Sequence, residues 1–223
     1  MVVLLVQEAV VKVVLFDYLK RMSTKSRIII FTRNPELGKV KTRLAKTLGD
    51  QSALDIYKYL LLHTEKTIRD LSYEKAVYYS ENIHHDDIWD NSVYSKHLQS
   101  GTDLGERMCN AFQDAFISNY KKVIIIGSDL LDLKPHHIHQ AFDELENNDF
   151  VIGPAKDGGY YLLGMNKINS NIFKNKAWGT SSVLKNTLNN IENSNVKLLE
   201  ELNDIDTFED MKHYQQLKPF YNL

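Results

Sequence analysis

The segment that most restricts the fold is Lys122–Gly127, KVIIIG, in which Val123, Ile124, Ile125 and Ile126 follow one another with no polar residue between. A strand with one face in water alternates apolar and polar side chains. A strand without alternation is covered on both faces, which places it centrally in a parallel sheet with helices on either side. The run stops at Ser128-Asp129-Leu130-Leu131-Asp132, and Pro135 then opens a helix with Ile138, Ala141, Phe142 and Leu145 inward.

The rest of the chain also alternates buried strands with helices. Ile28–Phe31 is a second buried strand, broken at Asn34-Pro35 and turned at Gly38. Ala53, Ile56, Tyr57, Leu60, Leu61, Thr64, Ile68 and Leu71 form one face of a long helix, and Gly49 divides a shorter helix from it. Strands are expected at Lys75–Ser80, Val93–Gln99, Asp149–Pro154, Tyr160–Met165 and Val196–Leu199. Helices are expected from Leu104 to Phe116, around Ile172, over Ser181–Ile191 and from Phe208 to about Leu217. Strands alternating with helices predict an α/β fold with a mostly parallel central sheet. No linker or internal repeat divides residues 26–223, so one domain is expected there.

Residues 1–25 are a separate case. MVVLLVQEAVVKVVLFDYLKRM is apolar, but Gln7, Glu8, Lys12 and Asp17 interrupt it, and no uncharged run reaches the ~20 residues of a membrane span. It lacks a basic leader and a small-residue cleavage site. It reads as an extension docked on the body or on a second subunit of a homo-oligomer, or as a prefix before a start at Met22. The 27 basic and 29 acidic residues leave a net charge of −2, which argues against a nucleic-acid partner. Cys109 is the single cysteine, so no internal disulfide forms. A reducing, cytoplasmic setting and a packing role for the thiol are expected.

Ligands of open parallel sheets bind beyond the carboxyl ends of the strands. Five loops qualify: Thr32–Arg43, Gln99–Arg107, Ser128–Leu133, Ala155–Tyr160 and Asn203–Thr207. In the first, Gly38, Lys39, Lys41 and Arg43 gather at a helix start, which suits phosphate or is only solvated charge. It is not a Walker loop, since Val40 follows Gly38-Lys39, and the chain has no GxGxxG. Asp129, at the exit of the most buried strand, suits a divalent cation or serves as a turn or cap acid, as Asp132 equally could. Asp157-Gly158-Gly159 is either a hairpin turn or, with Lys156, an open stretch of backbone that a bulky ligand can approach. Asp206 is a metal ligand or a helix cap. His84, His85, Asp86 and Asp87 are adjacent and do not converge. His136, His137 and His139 lack a zinc spacing and read as a surface helix start.

The ordered segments FTRNPELGKVKTRLA, QSGTDLGERM, IIIGSDLLDL, GPAKDGGYYLLGM, WGTSSVL and DIDTFEDM resemble a bacterial family once known only as a domain of unknown function. Its members are labelled glycosyltransferases, some tied by gene context to arsenosugar biosynthesis. The resemblance covers about Arg27 to Leu217. It implies the GT-A fold of the nucleotide-diphospho-sugar transferase superfamily, with relatives among molybdenum cofactor guanylyltransferases, 2-phospholactate guanylyltransferases and sugar-1-phosphate uridylyltransferases. By that resemblance Thr32, Arg33, Gly38, Lys41 and Arg43 hold nucleotide phosphates, and Gln99, Gly105 and Arg107 lie toward the nucleotide. Asp129 and Asp206 bind Mg²⁺ or Mn²⁺, and Gly158, Gly159, Tyr160 and Trp178 contact acceptor or sugar. Leu131 departs from the family's pattern, where many members have proline. The expected activity is metal-dependent glycosyl transfer from a nucleotide sugar to a small-molecule acceptor, with Asp157 as the base. The alternatives are nucleotidyl transfer from a nucleoside triphosphate with release of pyrophosphate, or a non-catalytic nucleotide-binding module.

Overall fold

The structure is a computed structural model that describes residues 25–221. The expected extension over residues 1–25, with its docking or oligomer role, lies outside the described residues except for Lys25.

Seven strands form one sheet: β1 (Ser26–Thr32), β2 (Glu74–Tyr79), β3 (Tyr94–Leu98), β4 (Lys122–Ile126), β5 (Phe150–Pro154), β6 (Tyr160–Met165) and β7 (Val196–Leu198). Their order is β3-β2-β1-β4-β6-β5-β7. The pairs β1–β2, β1–β4, β2–β3 and β5–β7 are parallel, and β6 runs antiparallel to both β4 and β5. One reversed strand therefore sits inside an otherwise parallel sheet. The Asp157-Gly158 turn that produces it joins β5 to β6 as a hairpin.

The helices are α1 (Thr42–Ile68), α2 (Leu104–Ile117), α3 (Pro135–Glu144), α4 (Val183–Asn190) and α5 (Phe208–Met211). All five residues of β4 are buried, as its lack of alternation predicts. In β1, Ile28 and Ile30 pack into one core with Tyr57, Leu61, Ile138 and Phe142, while Ile29 packs into a second core with Met108 and Phe112. Successive strand side chains point to opposite faces, so α1 and α3 contribute to one layer and α2 to the other. Cys109 packs against the second core, where burial pushes its thiol up.

Gly49 interrupts α1 with non-helical angles (φ 82°, ψ 161°), as its position predicts. The closing helix is shorter than expected. It stops at Met211, and a 3₁₀ turn over Gln215–Phe220 follows. Met211 and Leu217 are both fully buried with Leu44, Ile56 and Ile205. Side chains six residues apart do not share a face of one helix, so the chain breaks to bury both.

Candidate active site

Every strand except β6 points the same way, so the loops leaving β1, β3, β4, β5 and β7 meet at one edge of the sheet. At their meeting point lies Lys41. Its ammonium donates to Asp129 Oδ2 at 2.6 Å and to Asp206 Oδ1 at 2.8 Å. The Lys41 side chain is 4% exposed and the two carboxylates about a third exposed. Burial pulls the lysine pKa down, but Asp129 and Asp206 outweigh it and raise it, so the ammonium stays charged. Burial likewise pushes Asp206 up, and Lys41 and then Arg43 bring it below the ordinary carboxylate range. Arg43 Nη1 lies 3.5 Å from Asp206.

Lys41 also holds a left-handed backbone (φ 48°, ψ 44°) immediately before α1. A lysine there carries strain of order 1–3 kcal/mol. Its surroundings fix it: Tyr57 of α1 places its hydroxyl 2.9 Å from Arg33 N, 3.2 Å from Thr32 Oγ1 and 3.4 Å from Ser128 Oγ. Asn34 is buried, donates to Asn82 O at 2.7 Å and accepts from Glu81 N at 3.0 Å. These bonds tie the loop after β1 to α1, to the exit of β4 and to the segment after β2. Gln99 Nε2 donates to Tyr78 O at 2.9 Å and to Thr32 O at 3.2 Å, joining the strand ends beneath the crevice.

The helix-cap alternative for Asp206 does not hold in the structure. Thr207 caps α5, accepting from Asp210 N, and Asp210 closes the capping box on Thr207 N. Asp132 accepts from the Tyr214 hydroxyl, and Lys134 occupies the N-cap of α3. Asp129 and Asp206 are therefore free to face Lys41.

Asp204 is a site residue that sequence reasoning passed over. Its pKa is pushed up to about 6 by burial and then by the charges of Asp157, Asp206 and Asp129. Leu202 N donates to Pro154 O and Lys156 N to Leu202 O, both at 3.1 Å, so the segment carrying Asp204 runs beside the turn carrying Asp157. Asp204→Asn should consequently be more stable than the parent above pH 6 in EDTA, with the difference vanishing below about pH 4. The native pKa lies above the unfolded value. The protonated acid therefore favours the fold at low pH, and that contribution is lost as the pH rises through the native pKa. Discounted for solvent screening of a half-buried group, the gain is about 1 kcal/mol, or about 2–4 °C in Tm. Thermal denaturation from pH 4 to 8 reads it, and a parent that matches Asp204→Asn at pH 8 would refute it.

Two cavities open at this edge and share Phe31, Leu104, Gly127, Asp129, Gly179 and Asp204. The larger, about 750 Å³, is polar and is lined by Thr32, Arg33, Lys41, Arg43, Gln99 and Arg107 among others. The smaller, about 230 Å³, is lined mainly by apolar side chains and by Asp157, Gly159, Tyr160 and Trp178. Three expected contacts line neither cavity. A Cβ on Gly105 would meet the Trp178 ring at 2.5 Å and Phe173 O at 2.6 Å, so this glycine exists to let Trp178 pack on α2. Gly158 (φ +87°) abuts Ser181 O and supports the turn. Gly38 (φ +74°) turns the loop near Asp50.

Among the described residues, the group whose His, Cys or carboxylate ligand atoms all lie within 4.8 Å is His136, His137 and Glu200, which line neither cavity. His137 Nδ1 accepts from Lys134 N at 3.0 Å at the start of α3, which leaves its Nε2 protonated toward Glu200. That tautomer presents no lone pair to a metal; the histidines do lie at a helix start, but His137 is buried there and not on the surface. Asp87 accepts from Tyr79 and Lys96, a structural role in its loop. No helix of the described residues is long and apolar enough to cross a membrane.

Comparison with known proteins extends these observations. Residues 63–180 match the bacterial family described as "Uncharacterized protein conserved in bacteria (DUF2064)". A protein of Desulfovibrio desulfuricans G20 assigned to the nucleotide-diphospho-sugar transferases superposes with a TM-score of 0.77 at 30% identity. The match covers 87% of this chain and 91% of that one. A 4-diphosphocytidyl-2C-methyl-D-erythritol synthase from Anaerococcus prevotii DSM 20548 superposes at 0.57 with 12% identity, covering 86% and 94%. Rv0371c of Mycobacterium tuberculosis H37Rv, in complex with manganese, superposes at 0.52 with 12% identity, covering 87% and 98%. No curated protein matches the sequence. With a fold shared with nucleotide-diphospho-sugar transferases and a family match over more than half its length, the chain belongs to the DUF2064 family.

Proposed function

We propose that the protein is a divalent-metal-dependent transferase that takes a nucleotide sugar and passes the sugar to a small-molecule acceptor. The observation that carries this reading is the Lys41 ammonium between Asp129 and Asp206. Two carboxylates from different loops already hold a cation between them. Such a slot suits Mg²⁺ or Mn²⁺, which use one or two carboxylates and complete their shell with water and phosphate oxygens. A divalent cation supplies Lewis-acid charge to a diphosphate when bound. Asp129 and Asp206 would hold it once Lys41 swings toward the phosphates. Lys41, Arg43 and Arg33 would then stabilise the charge that develops on the departing nucleotide diphosphate. The Asp157 Oδ1 accepts from Gly159 N at 2.8 Å, which orients the carboxylate as a base for the acceptor proton.

The number of cations lining the polar cavity (Arg33, Lys39, Lys41, Arg43 and Arg107) favours a second reading, nucleotidyl transfer from a triphosphate. A thermal-shift panel of nucleotide sugars and nucleoside triphosphates, with and without Mn²⁺, separates the two. A ligand at 100 times its Kd adds about 2.7 kcal/mol. Mn²⁺-dependent stabilisation by a nucleotide sugar, followed by its turnover without pyrophosphate, is expected. Pyrophosphate release from a triphosphate would establish the second reading instead, and no response to any nucleotide would refute both.

A further inference from the structure

Charge is divided unevenly across the crevice. All five cations lining it belong to the polar cavity. Among the described residues, no Lys, Arg or His lines the apolar cavity, and its charged residues are Asp129, Asp157 and Asp204. Its walls are side chains such as Phe31, Leu104, Met108, Ile125, Leu130 and Val183. An anion entering would lose water, find no cation among the lining side chains and face the carboxylates of Asp157 and Asp204, Asp129 being paired with Lys41 on the side of the polar cavity, an arrangement that disfavours binding. An apolar body gains by leaving water, and a hydroxyl or ammonium finds acceptors in the carboxylates.

We propose that the apolar cavity is the acceptor site and that its acceptor is an uncharged or cationic molecule with an apolar body, bearing no phosphate or carboxylate. The word acceptor rests on the function proposed above; the charge selectivity of the cavity does not. In the corresponding step the acceptor hydroxyl oxygen forms a bond to the anomeric carbon of the donor sugar. The bond from that carbon to the diphosphate oxygen breaks, and its electron pair leaves with the nucleotide diphosphate. The hydroxyl proton passes to the Asp157 carboxylate. A phosphorylated acceptor, as nucleotidyl transfer requires, would set its phosphate in a cavity whose lining offers Asp157 and Asp204 and, among the described residues, no Lys, Arg or His.

The sequence contains two tryptophans. Trp89 is 2% exposed in the loop before β3, and Trp178 lines the apolar cavity. Tryptophan fluorescence therefore reports occupancy, with Trp178→Phe identifying the signal and calorimetry as an independent readout. The probes share one body: benzyl alcohol, benzylamine and benzyl phosphate. Benzyl alcohol and benzylamine should quench Trp178 saturably, and benzyl phosphate should bind at least tenfold more weakly. Asp157→Asn should narrow that gap, and Val183→Phe, which fills the cavity, should weaken all three. Benzyl phosphate binding as tightly as the alcohol, or saturable binding by none of the probes in calorimetry, would overturn the inference. Parallel titration with UDP, GDP, CDP and ADP addresses the polar cavity. Nucleotide binding together with tight benzyl phosphate binding overturns the acceptor class alone. Alcohol selectivity without any nucleotide binding supports the cavity's selectivity and overturns the proposed function.

Discussion

Replacing Asp129 with alanine is expected to lower turnover by on the order of 10²-fold or more, the scale seen when one preorganised electrostatic partner of a transition state is removed. The residue sits where the two cavities meet, and its Oδ2 carries one of the two ion pairs to Lys41. Without it, a cation in the slot keeps Asp206 alone, and the ammonium of Lys41 is drawn wholly to that side. The variant should fold, because Asp129 is a third exposed, Lys41 keeps its pair with Asp206, and Asp204 loses the repulsion of one neighbouring carboxylate. Single-turnover rates at saturating Mn²⁺ separate lost chemistry from lost metal. An Asp129→Ala enzyme with near-parental turnover and metal response would remove the residue from the mechanism.

Lys41→Met is expected to destabilise the metal-free protein by about 2 kcal/mol. Breaking a fully buried ion pair costs about 3–5 kcal/mol, and the partial exposure of Asp129 and Asp206 reduces that figure. Methionine keeps the unbranched chain up to the ε position and the same left-handed backbone strain, so the change removes chiefly the ammonium. For a chain of this size, the loss corresponds to a fall in Tm of about 4–8 °C. Millimolar Mn²⁺ or Mg²⁺ should restore more stability to the variant than to the parent, because the metal then takes the lysine's place without having to displace it. Affinity for a nucleoside diphosphate should fall in the same variant. Equal Tm values in EDTA would mean that the ammonium does not hold the acids together.

The sheet and its helices were largely legible in the sequence because burial on both faces leaves a direct mark. Val123–Ile126 reads as a central strand with no other information, and Gly49 marks the break in α1. Closure was harder to read, since the split after Met211 depends on Leu217 finding the core beside Ile205. The site was legible as a set of loops and less so as a set of contacts. Asp129, Asp206 and Lys41 stand out by position, but their mutual pairing joins residues 88 and 165 positions apart. Asp204 could have been found from the Asp-Ile-Asp spacing. Ile205 turns into the core, and both flanking carboxylates reach the polar cavity. Tyr57 fell within an apolar helix stripe, where nothing in the periodicity marks its hydroxyl as the anchor of the loop after β1. The family resemblance sets Gly105 toward the nucleotide, whereas in the structure the packing of Trp178 sets its role.

The pairing of Lys41 with Asp206 also bears on how the protein comes off the ribosome. The β5–β6 hairpin is local and can close while later residues are still being made. The crevice cannot, because one of its two carboxylate arms lies beyond β7 and its lysine precedes α1. A nascent chain shorter than 206 residues holds Lys41 against Asp129 at most. The second arm of the cation slot therefore follows all seven strands in chain order, and only the first can form before residue 206 is made.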